Sequence, residues 1–392
     1  MPLIVGCEHK LKKGEVKMDY YLKASEFAEK YVAPVGRKID ETKEFPKDIF
    51  EKLYAEDFLK LIIPESEGGL GGDIYDHAEI IRALAKESAT VGLCYMMHNV
   101  ALNVILNAAK DELKKQIIDE VINEGKVLAL AYSESGSGVN FYYPETTAKR
   151  DGEGWVLNGS KSMVTSAEYA SYYMVIAKTG EGRADTDNFC VPVDSKNLTF
   201  RMDRWNGIGL KGNVSCPMYM DDMPIDELHR VGTEGSGMEQ ILTLVAPLFV
   251  QGLAAVYSGL NEAIAREAIM HAMDRKFPDG STLANVDTIK LHISKIYNYA
   301  NAGVSACRAS ALAARNGDED ALAKILSARV IAIENVVEAG RLGMLIGGGR
   351  AYSQYRNFAR YLADGLAGQV MAPSVDILHQ WIGSVLTGQM IP

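Results

Sequence analysis

Apolar residues recur at helical spacing over residues 20–32 and again over 47–58, where Pro46 suits a helix start. The glycines within 67–72 break that pattern, which resumes over 76–85, 91–108 and 112–123. The middle third changes period: short runs rich in Val, Tyr and Thr alternate with turn residues. Residues 155–159 read as a strand ending in an Asn-Gly turn, and 172–177, 188–193 and 216–220 read as further strands. The last third is helical again over 238–273, 288–314, 318–345 and 350–362, with a bend expected near Pro247. Residues 241–260 carry no charge and are long enough to span a bilayer. Thr243, Pro247, Gln251, Gly252, Tyr257, Ser258 and Gly259 interrupt them, so a buried core helix is expected there and no membrane span.

The pattern divides the chain into a loose Lys-rich extension (1–16), a helical domain (17–128), a β domain (129–232) and a second helical domain (233–392). Its 392 residues suffice for two or three domains or layers. The net charge is −10, from 41 Lys and Arg against 51 Asp and Glu, which argues against a general nucleic-acid binder. A local basic pocket for a phosphate-bearing ligand remains compatible with it. Cys7, Cys94, Cys190, Cys216 and Cys307 are dispersed and form no Cys-x-x-Cys pair. That usage fits reduced thiols in a cytoplasmic protein and offers no metal site. The first residues lack a secretory-signal pattern.

Gly207-x-Gly209-x-x-Gly212 matches the dinucleotide fingerprint as text. That fingerprint needs a helix to follow, so that a helix N-terminus meets the pyrophosphate. Here Asn213 to Pro217 reads as turn and strand, and a connection between strands is expected instead.

Five short motifs stand in a fixed order: 63–71 (IPESEGGLG), 133–138 (SESGSG), 158–161 (NGSK), 207–212 (GIGLKG) and 347–349 (GGG). Their order and spacing, from about Asp19 to Leu386, resemble the acyl-CoA dehydrogenase family of flavoproteins. The resemblance implies an α+β multidomain fold: an N-terminal helical domain, a central β barrel and a C-terminal four-helix bundle. It implies bound FAD, an acyl thioester (acyl-CoA) substrate and assembly as a homodimer or homotetramer. It also implies, on its own authority alone, an electron-transfer flavoprotein partner. Carried over residue by residue, Tyr132, Ser133, Ser137 and Gly138 fall in a small-residue loop whose backbone approaches the flavin. Met163 and Thr165 fall on a strand that passes one face of the ring, with Met163 in place of the usual Trp. Arg275-Lys276-Phe277 stands where the family has an Arg-x-x-Phe-Gly motif whose guanidinium reaches the FAD pyrophosphate. Gly348 and Gly349 match a Gly-Gly pair near the FAD of a neighbouring subunit, and Ser374 is a further cofactor-side candidate.

The departures cluster at the substrate. The family's catalytic Glu falls on Ala372, or on Met371 with a one-residue slip, and its alternative position falls on Phe249. The Arg that contacts the CoA tail falls at Val250, and a serine near the CoA falls at Val139. Leu93 takes the place of the Arg that holds the sulfinate in related desulfinases, which argues against that activity. Removal of an α-proton needs a base within hydrogen-bond reach, and Ala, Met and Phe offer none. No catalytic residue is assigned; His379, Ser374, Tyr142, Tyr143, Glu145, Tyr352 and Tyr355 are the groups within this part of the pattern able to move a proton. Three readings follow: an oxidoreductase acting on the α,β carbons of an acyl thioester with a displaced or absent base, a flavin monooxygenase on the same fold, and a non-catalytic paralogue.

Overall fold

A computed structural model describes residues 19–138, 142–182 and 184–391. The expected extension 1–16, and Val139 and Asn140 of the glycine loop, lie outside the described residues.

The N-terminal helices are α1 (Tyr20–Phe27), α2 (Gly36–Thr42), α3 (Lys47–Ala55), α4 (Ile74–Glu87), α5 (Ala89–Ala108) and α6 (Asp111–Glu124). A π-helical turn, Ala28–Val32, completes the first periodic run. Asp73 starts α4 through a capping box: its Oδ1 accepts from the Tyr75 and Asp76 amides at 2.9 and 3.2 Å, and Asp76 Oδ2 accepts from the Asp73 amide. α5 is buried on nearly every side, as an all-apolar helix must be. Left-handed Gly125 ends α6.

The central domain holds β1 (Leu128–Ala131), β2 (Thr147–Asp151), β3 (Gly154–Val164), β4 (Tyr172–Lys178), β5 (Thr186–Pro192), β6 (Leu198–Phe200), β7 (Cys216–Asp226) and β8 (Arg230–Val231). Their order is β6-β7-β3-β2-β4-β5-β8, with β1 parallel to β4. This corrects the expected barrel: the sheet is open. Its edges are β6 and β8, three and two residues long, and strands that short offer too few ladder bonds to close it. A second correction concerns Asn158-Gly159, which does not turn. The Asn158 amide exchanges hydrogen bonds with Asp222 of β7 at 2.8 and 2.9 Å, and the chain continues through a bulge as one strand. The 207–212 stretch leads through a short 3-10 turn, Lys211–Asn213, into β7. No helix follows it, and the dinucleotide reading is excluded.

The C-terminal domain runs through α7 (Gly237–Gln240), α8 (Ala246–Asp274), α9 (Asp287–Asn316), α10 (Ala321–Tyr352), α11 (Phe358–Val370) and α12 (Val375–Leu386). α8, α9, α10 and α11 pack on one another as the bundle. The bend expected near Pro247 is a π-helical turn, Ile241–Val245, immediately before it. The helix expected over 350–362 is instead split between the end of α10 and α11, with turns between them. Ala89–Ala108 and Gly237–Asp274 are long and apolar enough to cross a membrane, but 83% and 67% of their most apolar windows are buried in the fold.

The 207–212 turn docks the β domain on α11. The Leu210 amide donates to Asp364 Oδ1 at 2.6 Å, and the Lys211 amide donates to Asp40 Oδ1 at 3.2 Å. Burial, and then the nearby Asp40 carboxylate, push the Asp364 acid up to about 7. A folded-state value above the unfolded one means that folding favours the protonated form. The stability it contributes is complete below about pH 4 and is lost as pH rises towards about 7. Urea-unfolding midpoints of wild type should therefore fall over that window relative to Asp364→Asn, whereas parallel pH profiles would contradict the assignment. A Cβ at Gly209 would overlap the Ala363 carbonyl and the Asp364 amide, both rigid backbone. Gly209→Ala should cost about 1–3 kcal/mol in unfolding experiments.

Candidate active site

The loop after β1 is tied at both ends by one carboxylate. Glu134 accepts from the Glu145 amide at 2.5 Å, the Thr146 amide at 3.2 Å and Lys161 Nζ at 2.5 Å. Lys161 is wholly buried on β3 and also donates to the Ile176 carbonyl at 2.6 Å. Burial pulls the Lys161 ammonium down to about 8, against the pull of Glu134. Burial alone would raise Glu134, but Lys161 and the loop bonds outweigh it and hold the acid below its usual range. The Ser137 hydroxyl folds back on the Glu134 carbonyl at 3.3 Å, and Gly138 takes φ +53° with open space beside it. The Ser162 amide donates to the Ser133 carbonyl at 2.8 Å, which sets Ser133 beside the end of β3.

Met163, on that same end, is 61% exposed although apolar. Thr165 follows it, buried, with its hydroxyl 3.0 Å from that of Ser215. The Ser166 amide donates to the Asn213 carbonyl at 2.8 Å and the Ala167 amide to the Val214 carbonyl at 3.3 Å. Ser166, Glu168, Leu210 and Val214 around this seam all hold left-handed backbone. Each such non-glycine residue stores on the order of 1–3 kcal/mol, and such strain concentrates at functional sites. Tyr132 is buried, and its hydroxyl has no hydrogen-bond partner among the described residues.

A second group lies where α8 and α10 end. Arg275 caps α8, its guanidinium carbon 6.0 Å from the Phe277 ring. Gly348 leaves helical geometry at φ +49° and ψ −134°, a conformation that suits glycine, and a Cβ at Gly348 or Gly349 would meet nothing. Burial, then Arg356, Arg350 and Arg275, lower the pKa of the buried His271 imidazole. Three arginines thus act on this one imidazole. Arg356 is paired with Glu267 and Asp274, whereas Arg275 and Arg350 have no ion-pair partner among the described residues. A diphosphate fits this cluster, and a planar ring with polar edges fits the exposed Met163 face, the unpaired Tyr132 hydroxyl and the open loop at Gly138.

A third group is the wall at the expected substrate end. Val250 packs with Ile325, Leu326, Val330, Leu378 and Trp381, and half-buried Phe249 joins it. The Met371 carbonyl accepts from Arg329 Nη2 at 2.9 Å, and the Tyr257 hydroxyl lies 3.9 Å from Met371 Sδ. The Arg329 guanidinium sits 5.9 Å from the centre of the Phe249 ring. Ala372 is half-buried next in the chain, and Ser374 caps α12 without a side-chain capping bond. The structure thus brings Phe249, Val250 and Met371 together, and it adds Tyr257 and Arg329, which motif matching passed over. Leu93 is wholly buried in the main core on α5.

None of the proton-moving candidates supplies a carboxylate to this wall. Tyr352 and Tyr355 are 84% and 77% exposed. His379 is exposed and faces Glu334 at 3.2 Å. Glu145 is exposed, its carboxyl lying against Gly136 in the flavin-side loop, while the Tyr142 and Tyr143 rings pack edge-on at 4.7 Å.

Lys161→Met would leave Glu134 buried without its cation, and should lower unfolding free energy by about 3–5 kcal/mol. The double variant Lys161→Met, Glu134→Gln should recover most of that loss. A single variant as stable as wild type would show that the pair does not brace the loop.

Known proteins share this fold. The family model for the acyl-CoA dehydrogenase N-terminal domain matches residues 20–124, and that for the middle domain matches 129–223, together just over half the chain. A probable acyl-CoA dehydrogenase of Mycobacterium leprae is 25% identical over 346 residues, 88% of each protein. A 3-(aryl)acrylate reductase of Clostridium sporogenes is 28% identical over 258 residues, 64% of this chain and 67% of the relative. Among solved structures, butyryl-CoA dehydrogenase from Megasphaera elsdenii superposes with a TM-score of 0.89 at 20% identity, over 97% of this chain and all of that one. A structure described as PigA with FAD and proline gives 0.86 at 20% identity, over 95% and 99%. The two domain matches, in sequence order and on the observed fold, establish that the chain belongs to the acyl-CoA dehydrogenase family.

Proposed function

We propose that the protein is an FAD-dependent oxidoreductase acting on the α,β carbons of an acyl thioester, and that it does so without a carboxylate base at the usual positions. The observation that carries this reading is the pairing of an intact flavin-side frame with an apolar wall where the base belongs. Tyr132, Ser133, Ser137, Gly138, Met163 and Thr165 would hold the ring, and Arg275 with Gly348 and Gly349 would hold the diphosphate. Bound FAD supplies two-electron exchange with the β carbon. The side chains of Phe249, Met371 and Ala372 orient the acyl chain, but they carry no group able to take or give a proton. Saturation of an enoyl thioester is the direction that suits such a wall, because solvent can provide the α-proton that no side chain provides. The acrylate reductase among the relatives is consistent with that direction.

An electron-transfer flavoprotein is the partner that the family suggests. A homodimer or homotetramer is the assembly we favour. Met273, Leu345 and Tyr352, beside Arg275 and Gly348, are 61%, 56% and 84% exposed, an apolar surface that a second copy would cover.

The test is an anaerobic titration of the flavin-loaded protein, followed by its visible spectrum. Enoyl thioesters should reoxidise the chemically reduced protein, and saturated thioesters should perturb or slowly bleach the oxidised one. A bound flavin that responds to neither class would overturn the proposal.

A further inference from the structure

Arg329 stands out among the buried cations. It lies on α10, where residues 325–333 are otherwise apolar apart from Ser327. It is wholly buried. Of its three nitrogens only Nη2 has a partner, the Met371 carbonyl; Nε and Nη1 have none among the described residues. No carboxylate among the described residues neutralises it in an ion pair. The titratable side chain that acts on it is the Tyr257 phenol, which favours its charge. Burial pulls the guanidinium down to about 10, so it stays charged at neutral pH.

An uncompensated buried charge is costly, and a Met or Leu of similar volume would fill this wall at no such cost. The fold compensates its other wholly buried arginine, Arg82, fully: Glu79 and Glu262 meet it at 2.8 and 2.7 Å. Arg329 also donates to the carbonyl of Met371, next in the chain to Ala372, and its guanidinium lies 5.9 Å from the centre of the Phe249 ring. Phe249, Met371, Ala372 and Ser374 around it are only half-buried.

Resting on the oxidoreductase reading above, we infer that Arg329 is a specificity-determining residue that recognises a carboxylate carried by the acyl part of the substrate. Nε and Nη1 are left over for an anion on different edges of the guanidinium, and a carboxylate oxygen can accept from either without displacing the Met371 contact. The carboxylate has two sources: the free end of a dicarboxylic acid joined to its carrier as a monothioester, or a free 2-enoic acid. In either case the anion supplies the negative charge that the wall lacks.

The test is isothermal titration calorimetry on the flavin-loaded protein, with visible spectra recorded in parallel. Succinyl-CoA and glutaryl-CoA are compared with chain-matched butyryl-CoA and valeryl-CoA, and free cinnamate and crotonate with their amides. Wild type should bind the charged member of at least one series about tenfold more tightly or better. Arg329→Met should remove that preference and leave the uncharged ligands within about twofold. Preference within the thioesters identifies a dicarboxylic monothioester, and preference within the free acids identifies an enoate; either supports the inference. Equal affinities in wild type overturn it, and that comparison stands even if the variant fails to fold. Arg329→Met weakening both classes alike also overturns it, since a purely structural brace would do that. A charge preference without any flavin response leaves Arg329 as an anion site and removes only the oxidoreductase reading. Binding of neither class removes both.

Discussion

One buried ionic network ties the N-terminal helices to the bundle. Arg82 on α4 meets Glu79 of its own helix and Glu262 of α8, and Arg308 of α9 closes on Glu79 at 2.7 Å. The Arg82 guanidinium also stacks on Tyr21 of α1 at 3.8 Å. Burial alone would raise the Glu79 acid, but Arg82 and Arg308 overrule it and keep it ionised. Breaking such a group one partner at a time leaves a bare charge, which makes the network a device for register more than for net stability. Four helices are fixed against one another by it, and α8 is the one on which the site depends. Phe249 and Val250 stand at its start, Tyr257 in its middle and Arg275 at its end.

The site divides accordingly into parts with different physics. The side proposed to hold the flavin is a polar frame on the β domain, where Glu134 and Lys161 close a loop and strained turns seam its neighbour. The proposed substrate side is an apolar wall on the bundle. Charge is satisfied with care in the first and left open in the second. The contrast between Arg82, met by two carboxylates, and Arg329, met by one carbonyl, is the clearest sign that the wall is shaped for something beyond packing.

Much of this was legible in the sequence. Long periodic runs gave α4, α5, α6 and α9 to within two residues at their N-terminal ends, because a buried helical face imposes its period whatever it packs against. The glycine motifs led to the family without any knowledge of contacts. The closure of the sheet was not legible, since it depends on pairing between edge strands distant in sequence. The Asn158-Gly159 pair looked like a turn because its decisive partner, Asp222, is 64 residues away. Arg329 was missed for a different reason. A search for a lost carboxylate looks for acids, and the departure here was a cation. The available signal was one Arg in the apolar run 325–333.

The central claim is that the acyl chain meets a wall without a carboxylate, anchored from α8 and α11. The measurement that tests it most directly is a crystal structure of the flavin-loaded protein with a non-reactive acyl thioester bound. The account predicts the α carbon lying against Phe249, Met371 and Ala372, with no Asp or Glu side chain within hydrogen-bond reach. A carboxylate from this chain or a second copy standing beside that carbon would contradict it, and would restore ordinary base-catalysed chemistry to the site.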